Sequence, residues 1–363
     1  MKTAVVITTI FQPTDTVRRL AGSGAFDILV VGDRRTPPDW QWPGVRYISV
    51  EEQEASRFRV IQRLPWNHYS RKIAGYLEAI RGGAQVIAET DDDNLPENGW
   101  GFPSFSGRFD TVPADSGFVN IYRLFTAQKI WPRGLPLSRV SAPDAVPPRI
   151  LPGQSHRIGI WQGLADGDPD VDAIYRLTGG SGCRFERRPP VVMDTGTLSP
   201  LNSQNTAFCK AAFALLYLPA TVNFRVTDIL RGYVAQPILW AAGLRAGVTG
   251  PTVFQERNDH DLLKDFESEL PIYLNAEAYV EAVLAAVGSG RSIEDNLFNA
   301  YDALAGRGWV VRKEMEILSA WLEDLEALKG SESGEKDCPN RNRDRYRDRD
   351  RNGQEAGHKK FEN

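Results

Sequence analysis

An apolar run, Ala84 to Thr90, leads without a break into Asp91-Asp92-Asp93-Asn94, and this junction restricts the fold more than any other stretch. The run follows Gly82-Gly83 and reads as a buried strand. Ala4 to Ile10 and Phe26 to Val31 read the same way, the second ended by Gly32-Asp33, and Val45 to Val50 is a further strand. Between the first two, Pro13 opens a helix to about Ala21, with Thr14 and Asp15 in its first turn. Proline is favoured at the first helical position because its missing N–H costs nothing there. Ser70 reads as the N-cap of a helix from Arg71 to Arg81, whose Ile73, Leu77 and Ile80 share one face. The order is thus β-α-β-β-α-β. Apolar strands joined through helices imply a parallel sheet covered on both faces. Ligands in such sheets bind at the carboxyl ends of the strands, where the acidic cluster falls.

Bulk properties agree with a soluble globular protein. A chain of 363 residues holds one large domain or two packed lobes. Folding at this length buries roughly three quarters of the chain's surface, so neither disulfides nor a structural metal is needed. Net charge is −4, which gives no polycation signal for nucleic acid. Cys183, Cys209 and Cys338 are odd in number and widely spaced, against a disulfide framework or zinc site, and fit a reduced compartment. Thr3 to Ile10 is too short to cross a bilayer, and no apolar run of ~20 residues occurs elsewhere. The expectation is a cytoplasmic chain without a membrane span.

Residues 97–200 are rich in Pro, Gly and aromatics, and their short strands cannot be ordered from the sequence. Phe208 to Leu218 is a strand or a helix. Asp228 to Gly243 is a helix that Pro237 can kink. Glu277 to Val287 and Glu314 to Lys329 are amphipathic helices. The division expected is a single catalytic domain over 1–329, its nucleotide-binding half at 1–100 and its acceptor half with C-terminal helices at 101–329. The Arg/Asp-rich tail, 330–363, is too poor in apolar residues to offset its ordering entropy and reads as disordered.

Three adjacent carboxylates repel one another unless a cation sits among them. On extended backbone Asp91 and Asp93 point one way and Asp92 the other. Two carboxylates on one side suit Mg²⁺ or Mn²⁺, which take further ligands from waters and a substrate phosphate. A solvated acidic turn is the plainer alternative. Arg71 and Lys72 put two cations at a helix N-terminus, either for a phosphate or as partners for the acidic cluster. Thr8, Thr9 and Asp33 lie at strand ends beside the expected nucleoside, although an Asp after Gly is also a common turn. Thr227 or Asp228 can cap a helix, with Asp228 and Arg231 one turn apart on one face. Asp228 is then an acceptor-side carboxylate or base held by Arg231, or half of a surface ion pair. His260 is a candidate third metal ligand, or a structural histidine.

Several stretches together resemble the STELLO-type glycosyltransferases: Thr8-Thr-Ile-Phe-Gln-Pro-Thr14, Val30-Val-Gly-Asp33, His68-Tyr-Ser-Arg-Lys72 and Asp91-Asp-Asp-Asn94. Asp170-Val-Asp-Ala-Ile-Tyr-Arg-Leu-Thr178, Leu201-Asn-Ser-Gln-Asn-Thr206, Thr227-Asp-Ile-Leu-Arg-Gly-Tyr233 and Gln255-Glu-Arg-Asn-Asp-His260 continue the likeness. The plant reversibly glycosylated polypeptides are more distantly similar. The resemblance implies a GT-A fold, a mixed Rossmann-type sheet with helices on both faces. It also implies a nucleotide-sugar donor, with a UDP-sugar favoured, and a divalent metal at Asp91 to Asp93. Plant members carry a Golgi membrane anchor that this sequence does not show. The reading is therefore a metal-dependent glycosyltransferase acting on an unknown glycan, protein or small-molecule acceptor. A nucleotide-sugar mutase or nucleotidyltransferase, and a non-catalytic sugar-binding or scaffold subunit, are the rivals.

Overall fold

The computed structural model describes residues 1–140, 147–256 and 261–332. His260 and nearly all of the charged tail lie outside them, so both readings stand as expectations. The first half follows the sequence closely: β1 (Thr3–Thr8), α1 (Asp15–Ser23), β2 (Asp27–Val31), β3 (Val45–Ile48), α2 (Val50–Glu54), α3 (Lys72–Arg81) and β4 (Val86–Thr90). These strands lie in the order β3-β2-β1-β4, all parallel, so the order reverses between β1 and β4. Period-two alternation splits β1 between two cores. Ala4 and Val6 pack beneath α3, while Val5 and Ile7 pack with Val17 and Leu20 of α1. Gly75 lets α3 sit this close, since a Cβ there would fall 2.4 Å from Val6 Cγ1.

The remainder comprises β5 (Asn94–Pro96), β6 (Ser106–Val112), β7 (Gly117–Phe118), α4 (Leu137–Val140), β8 (Leu151–Gly167), α5 (Ala173–Leu177), β9 (Val191–Met193), β10 (Thr197–Leu198) and β11 (Asn205–Cys209). It ends with α6 (Phe224–Ala241), β12 (Arg245–Gln255), α7 (Leu262–Ala286), α8 (Ile293–Gly306) and α9 (Glu314–Glu332). The main sheet continues past β4 as β11-β8-β6-β9-β12-β5 with mixed polarity. The fold is thus the mixed α/β, Rossmann-type, GT-A-like sheet that the sequence implied. Strand β11 is antiparallel to β4 and begins opposite Thr90, so residues 201–204 lie beyond the carboxyl edge of β4. Strands β8 and β12 run parallel and finish together at Gly167 and Gln255, at the same edge.

Several local expectations change. Thr14 is the N-cap of α1, its hydroxyl accepting from Val17 N–H, so Pro13 precedes the helix instead of opening it. Ser70 caps nothing: Tyr69–Arg71 is a 3₁₀ turn capped by His68, and it runs directly into α3. Ser49 begins a capping box for α2, which ends β3 early. Helix α6 is capped by Asn223, so Thr227 and Asp228 are interior residues of the helix rather than its cap. Pro237 lies within that helix.

Candidate active site

The strand ends, the 3₁₀ turn and the start of α6 enclose a cleft of about 490 Å³. Thr8, Thr9, Asp33, Arg71, Asp91, Asp92, Asp93 and Asp228 all line it. Lys72 and Arg231 stand behind its walls, both buried.

The acidic cluster is a turn, closed by Asn94 N–H onto Asp91 C=O at 3.3 Å, and the expected extended alternation is not adopted. Each carboxylate instead meets a different anchor. Asp91 Oδ1 accepts from Tyr69 Oη at 2.8 Å and from Lys72 Nζ at 3.3 Å. Asp92 accepts from the Thr9 hydroxyl, a bond that crosses the sheet's point of reversal. Asp93 Oδ2 accepts from Gln255 Nε2 at 3.0 Å. Burial pushes the Asp91 carboxyl up to about 7, against the opposing pull of Lys72 and with help from Asp93. Its side chain keeps 32% of its surface open to the cleft, so the carboxyl is only partly withdrawn from water. Burial likewise pushes Asp92 up to about 6, opposed by the Thr9 bond. Among the described residues no three His, Cys, Asp or Glu side chains are grouped to hold a metal ion by themselves. Oxygen donors from two or three neighbouring aspartates fit a hard cation that completes its shell from water and phosphate.

On the β2 side of the cleft, Asp33 is buried at the end of β2 and accepts from Arg34 N–H at 2.7 Å. Thr36 Oγ1 donates to Thr9 C=O at 2.6 Å, tying the ends of β1 and β2 together. Arg71 is not aimed at the acidic turn. Its guanidinium donates to Gln53 Oε1 at 2.9 and 2.6 Å and to Ile61 C=O at 3.0 Å. It also stacks on Trp66 at 3.8 Å, and burial lowers its pKa to about 10. Arg71 therefore braces the loop before α3. Arg35, exposed on the cleft wall, makes no hydrogen bond or ion pair with the described residues.

On the opposite side, Asp228 is paired with Arg133 and not with Arg231. Arg133 Nη2 lies 2.9 Å from Asp228 Oδ2, and its Nε and Nη2 reach Asp170 at 2.8 and 2.9 Å. Ser203 donates to Asp228 Oδ2 from both its N–H and its hydroxyl, each at 3.2 Å. Burial alone would raise the Asp228 pKa, but the Arg133 guanidinium outweighs it and holds the carboxyl below its usual range. Arg231 points under the sheet, where it forms a buried ion pair with Glu89 and donates to Asn202 C=O at 3.3 Å. Gly232 keeps α6 close to that loop, since a Cβ there would fall 2.5 Å from Leu201 O. A surface ion pair between Asp228 and Arg231 is thus replaced by two separate buried pairs.

Ser203 Oγ also lies 2.6 Å from Tyr69 Oη. Polar contacts therefore run from Asp91 through Tyr69 and Ser203 to Asp228. Tyr69, Arg133, Asp170 and Ser203 were not singled out from the sequence. Three of them lie inside the stretches that carried the family resemblance. Arg133 lies in Trp131-Pro-Arg-Gly, in the segment whose strands the sequence could not order.

Comparison with known proteins gives a consistent result. The family model described as STELLO glycosyltransferases matches residues 225–348. "Probable glycosyltransferase STELLO1" of Arabidopsis thaliana is 30% identical over 349 residues, covering 89% of this chain and 44% of that protein. "Probable glycosyltransferase STELLO2" of the same plant is 29% identical over 346 residues, covering 88% and 44%. The chain thus spans less than half the length of these relatives. No helix among the described residues is long and apolar enough to cross a membrane.

Proposed function

We propose that the chain, which is similar over most of its length to the STELLO glycosyltransferases, moves a sugar in its cleft from a nucleotide-sugar donor, a UDP-sugar in the first instance, to an acceptor hydroxyl. The observation that carries this reading is the division of the cleft's acids. Asp91 and Asp92 have raised pKa values at the sheet's point of reversal, and Asp228 across the cleft is already neutralised by Arg133. The nucleoside would sit against Thr8, Thr9 and Asp33, at the carboxyl ends of β1 and β2.

Mn²⁺ or Mg²⁺, held by Asp91 and Asp93 with waters, would neutralise charge building on the departing diphosphate. Lys72, fully buried, keeps Asp91 oriented through its bonds to Asp91 and to Tyr69 Oη at 2.7 Å. Arg35 is the cation available to a phosphate, in the role expected of Arg71. The anomeric C–O bond to diphosphate breaks as the acceptor oxygen bonds to that carbon, and the acceptor hydroxyl's proton passes to water. Charge separation of this kind gives an oxocarbenium-like transition state. A carboxylate held below its usual pKa is a weak base, so Asp228 orients the acceptor hydroxyl by accepting its hydrogen bond.

The test is nucleotide release from a panel of nucleotide sugars, with Mn²⁺ and with chelator, for wild type and Asp93→Asn. Slow metal-dependent hydrolysis of one donor, lost in the variant, is expected. No turnover of any donor and no metal-dependent binding would sink the proposal.

A further inference from the structure

Among the described residues only two aromatic side chains are exposed, Phe11 at 59% and Phe224 at 61%, and both line the cleft. All other described aromatics are buried or half-buried. Phe224 is the first residue of α6, where folding gives no reason for a large apolar side chain. Its position is nevertheless fixed. On one side, Asn223 caps the helix and donates to Ser268 C=O at 2.7 Å. On the other, the Arg225 guanidinium is held by buried Glu269. The ring meets Tyr69 edge-on, with centroids 5.4 Å apart at 87°. Tyr69 in turn binds Asp91, so Phe224 presents an immobilised apolar face beside the acidic turn, on the Asp228 side of the cleft.

We propose that Phe224 is the stacking platform of the acceptor subsite and that the acceptor is a saccharide; this rests on the glycosyltransferase reading. The neighbouring polar groups are two ion pairs, Asp170–Arg133 and Asp168–Arg176 at 2.6 Å. The two carboxylates offer acceptors in fixed positions, and Arg176, which commits Nη1 to Asp168, offers guanidinium donors, whereas those of Arg133 are taken up by Asp170, Asp228 and Arg225 C=O. A ligand for this wall needs one apolar face and a rim of groups that both donate and accept. A pyranose ring has that form, with C–H bonds on its face and hydroxyls around its edge. An acyl chain lacks the rim, and an extended peptide alternates side chains instead of presenting one flat face.

The test uses the donor turned over by the wild type and short linear β-glucan, xylan, mannan and chitin oligosaccharides as acceptor probes. At least one should accelerate nucleotide release above hydrolysis. Phe224→Ala should raise the KM for that saccharide about tenfold, with a smaller change in kcat, the size expected for losing an aromatic contact. Phe224→Trp, which keeps a flat ring, should stay within about threefold of wild type. Leu274→Ala, at a residue 76% exposed on α7 and away from the cleft, is the control. An unchanged KM in Phe224→Ala overturns the inference, as does donor hydrolysis that no saccharide accelerates. In both cases the glycosyltransferase reading survives. Absence of any donor hydrolysis overturns that reading, and this inference with it.

Discussion

Residues 1–100 and the rest of the chain build opposite walls of one cleft by opposite means. The first wall rests on short, local, parallel crossovers, and its acids carry only partial compensation. Asp91 is pushed to about 7 and Asp92 to about 6, and one lysine serves the whole turn. The second wall rests on contacts distant in sequence, and its acids arrive already paired. Asp228 and Asp170 share Arg133, and Asp168 holds Arg176. Two environments suit the same side chain to two different tasks. Acids with raised pKa values are suited to a cation from solution, whereas a compensated acid is suited to be a fixed hydrogen-bond acceptor.

The largest test of this contrast is Arg133→Met. Removing a buried cation leaves Asp170 and Asp228 together without compensation, and such losses cost about 3–5 kcal/mol. We expect a large fall in the midpoint of urea unfolding. Asp91→Asn should cost far less, because burial already disfavours the carboxylate's charge and Lys72 keeps its bonds to Tyr69 Oη at 2.7 Å and Thr90 C=O at 3.3 Å. The fall in its urea midpoint without metal should be well below that of Arg133→Met, while metal-dependent donor turnover falls about 100-fold. If Asp91→Asn destabilises the protein as Arg133→Met does, the two walls are alike and the distinction fails.

The same division decides how much could be read from the sequence. The parallel half was legible because β-branched runs, glycine stops and helical spacing are local signals. The acidic turn was legible as a cluster, but its geometry was not. A strand that continued past Thr90 would alternate its side chains, and only the bond from Asn94 N–H back to Asp91 shows that the chain turns there. Asp228 was found as a carboxylate and given the wrong partner, because Arg231 is one turn away in sequence while Arg133 is 95 residues away. Local spacing cannot reveal a partner brought in by a long loop. Arg71 shows the converse: a cation near a helix start looked available to ligand, yet Gln53 and two loop carbonyls use its guanidinium.

Acidity gives a finer test. Both Asp91 and Asp92 carry folded pKa values above the usual carboxylate value, so the folded state holds protons that the unfolded state releases. Their contribution to metal-free stability is therefore fullest below about pH 4 and is lost as pH rises through about 6 to 7. A bound cation reverses this, because it competes with those protons. We expect Mn²⁺ to raise the melting temperature at pH 8 and to leave it nearly unchanged at pH 5. An equal gain at both values would show that Mn²⁺ binds elsewhere.

The smallest expected effect concerns the junction between the walls. Ser203 is placed at the edge of β4 by the start of β11, and its one hydroxyl proton can serve either Tyr69 at 2.6 Å or Asp228 at 3.2 Å. Ser203→Ala removes that link while the backbone N–H of residue 203 still reaches Asp228 at 3.2 Å. Loss of a single hydrogen bond of this kind is worth about 1 kcal/mol, or roughly fivefold in rate. We expect transfer to acceptor to slow by that factor, with Mn²⁺-dependent nucleotide binding, measured by calorimetry, held within twofold of wild type. If nucleotide binding weakens as much as transfer slows, Ser203 supports the acidic turn through Tyr69 and belongs to the donor wall. If only transfer slows, the hydroxyl serves Asp228, and the two walls act through separate sets of bonds that meet at one atom.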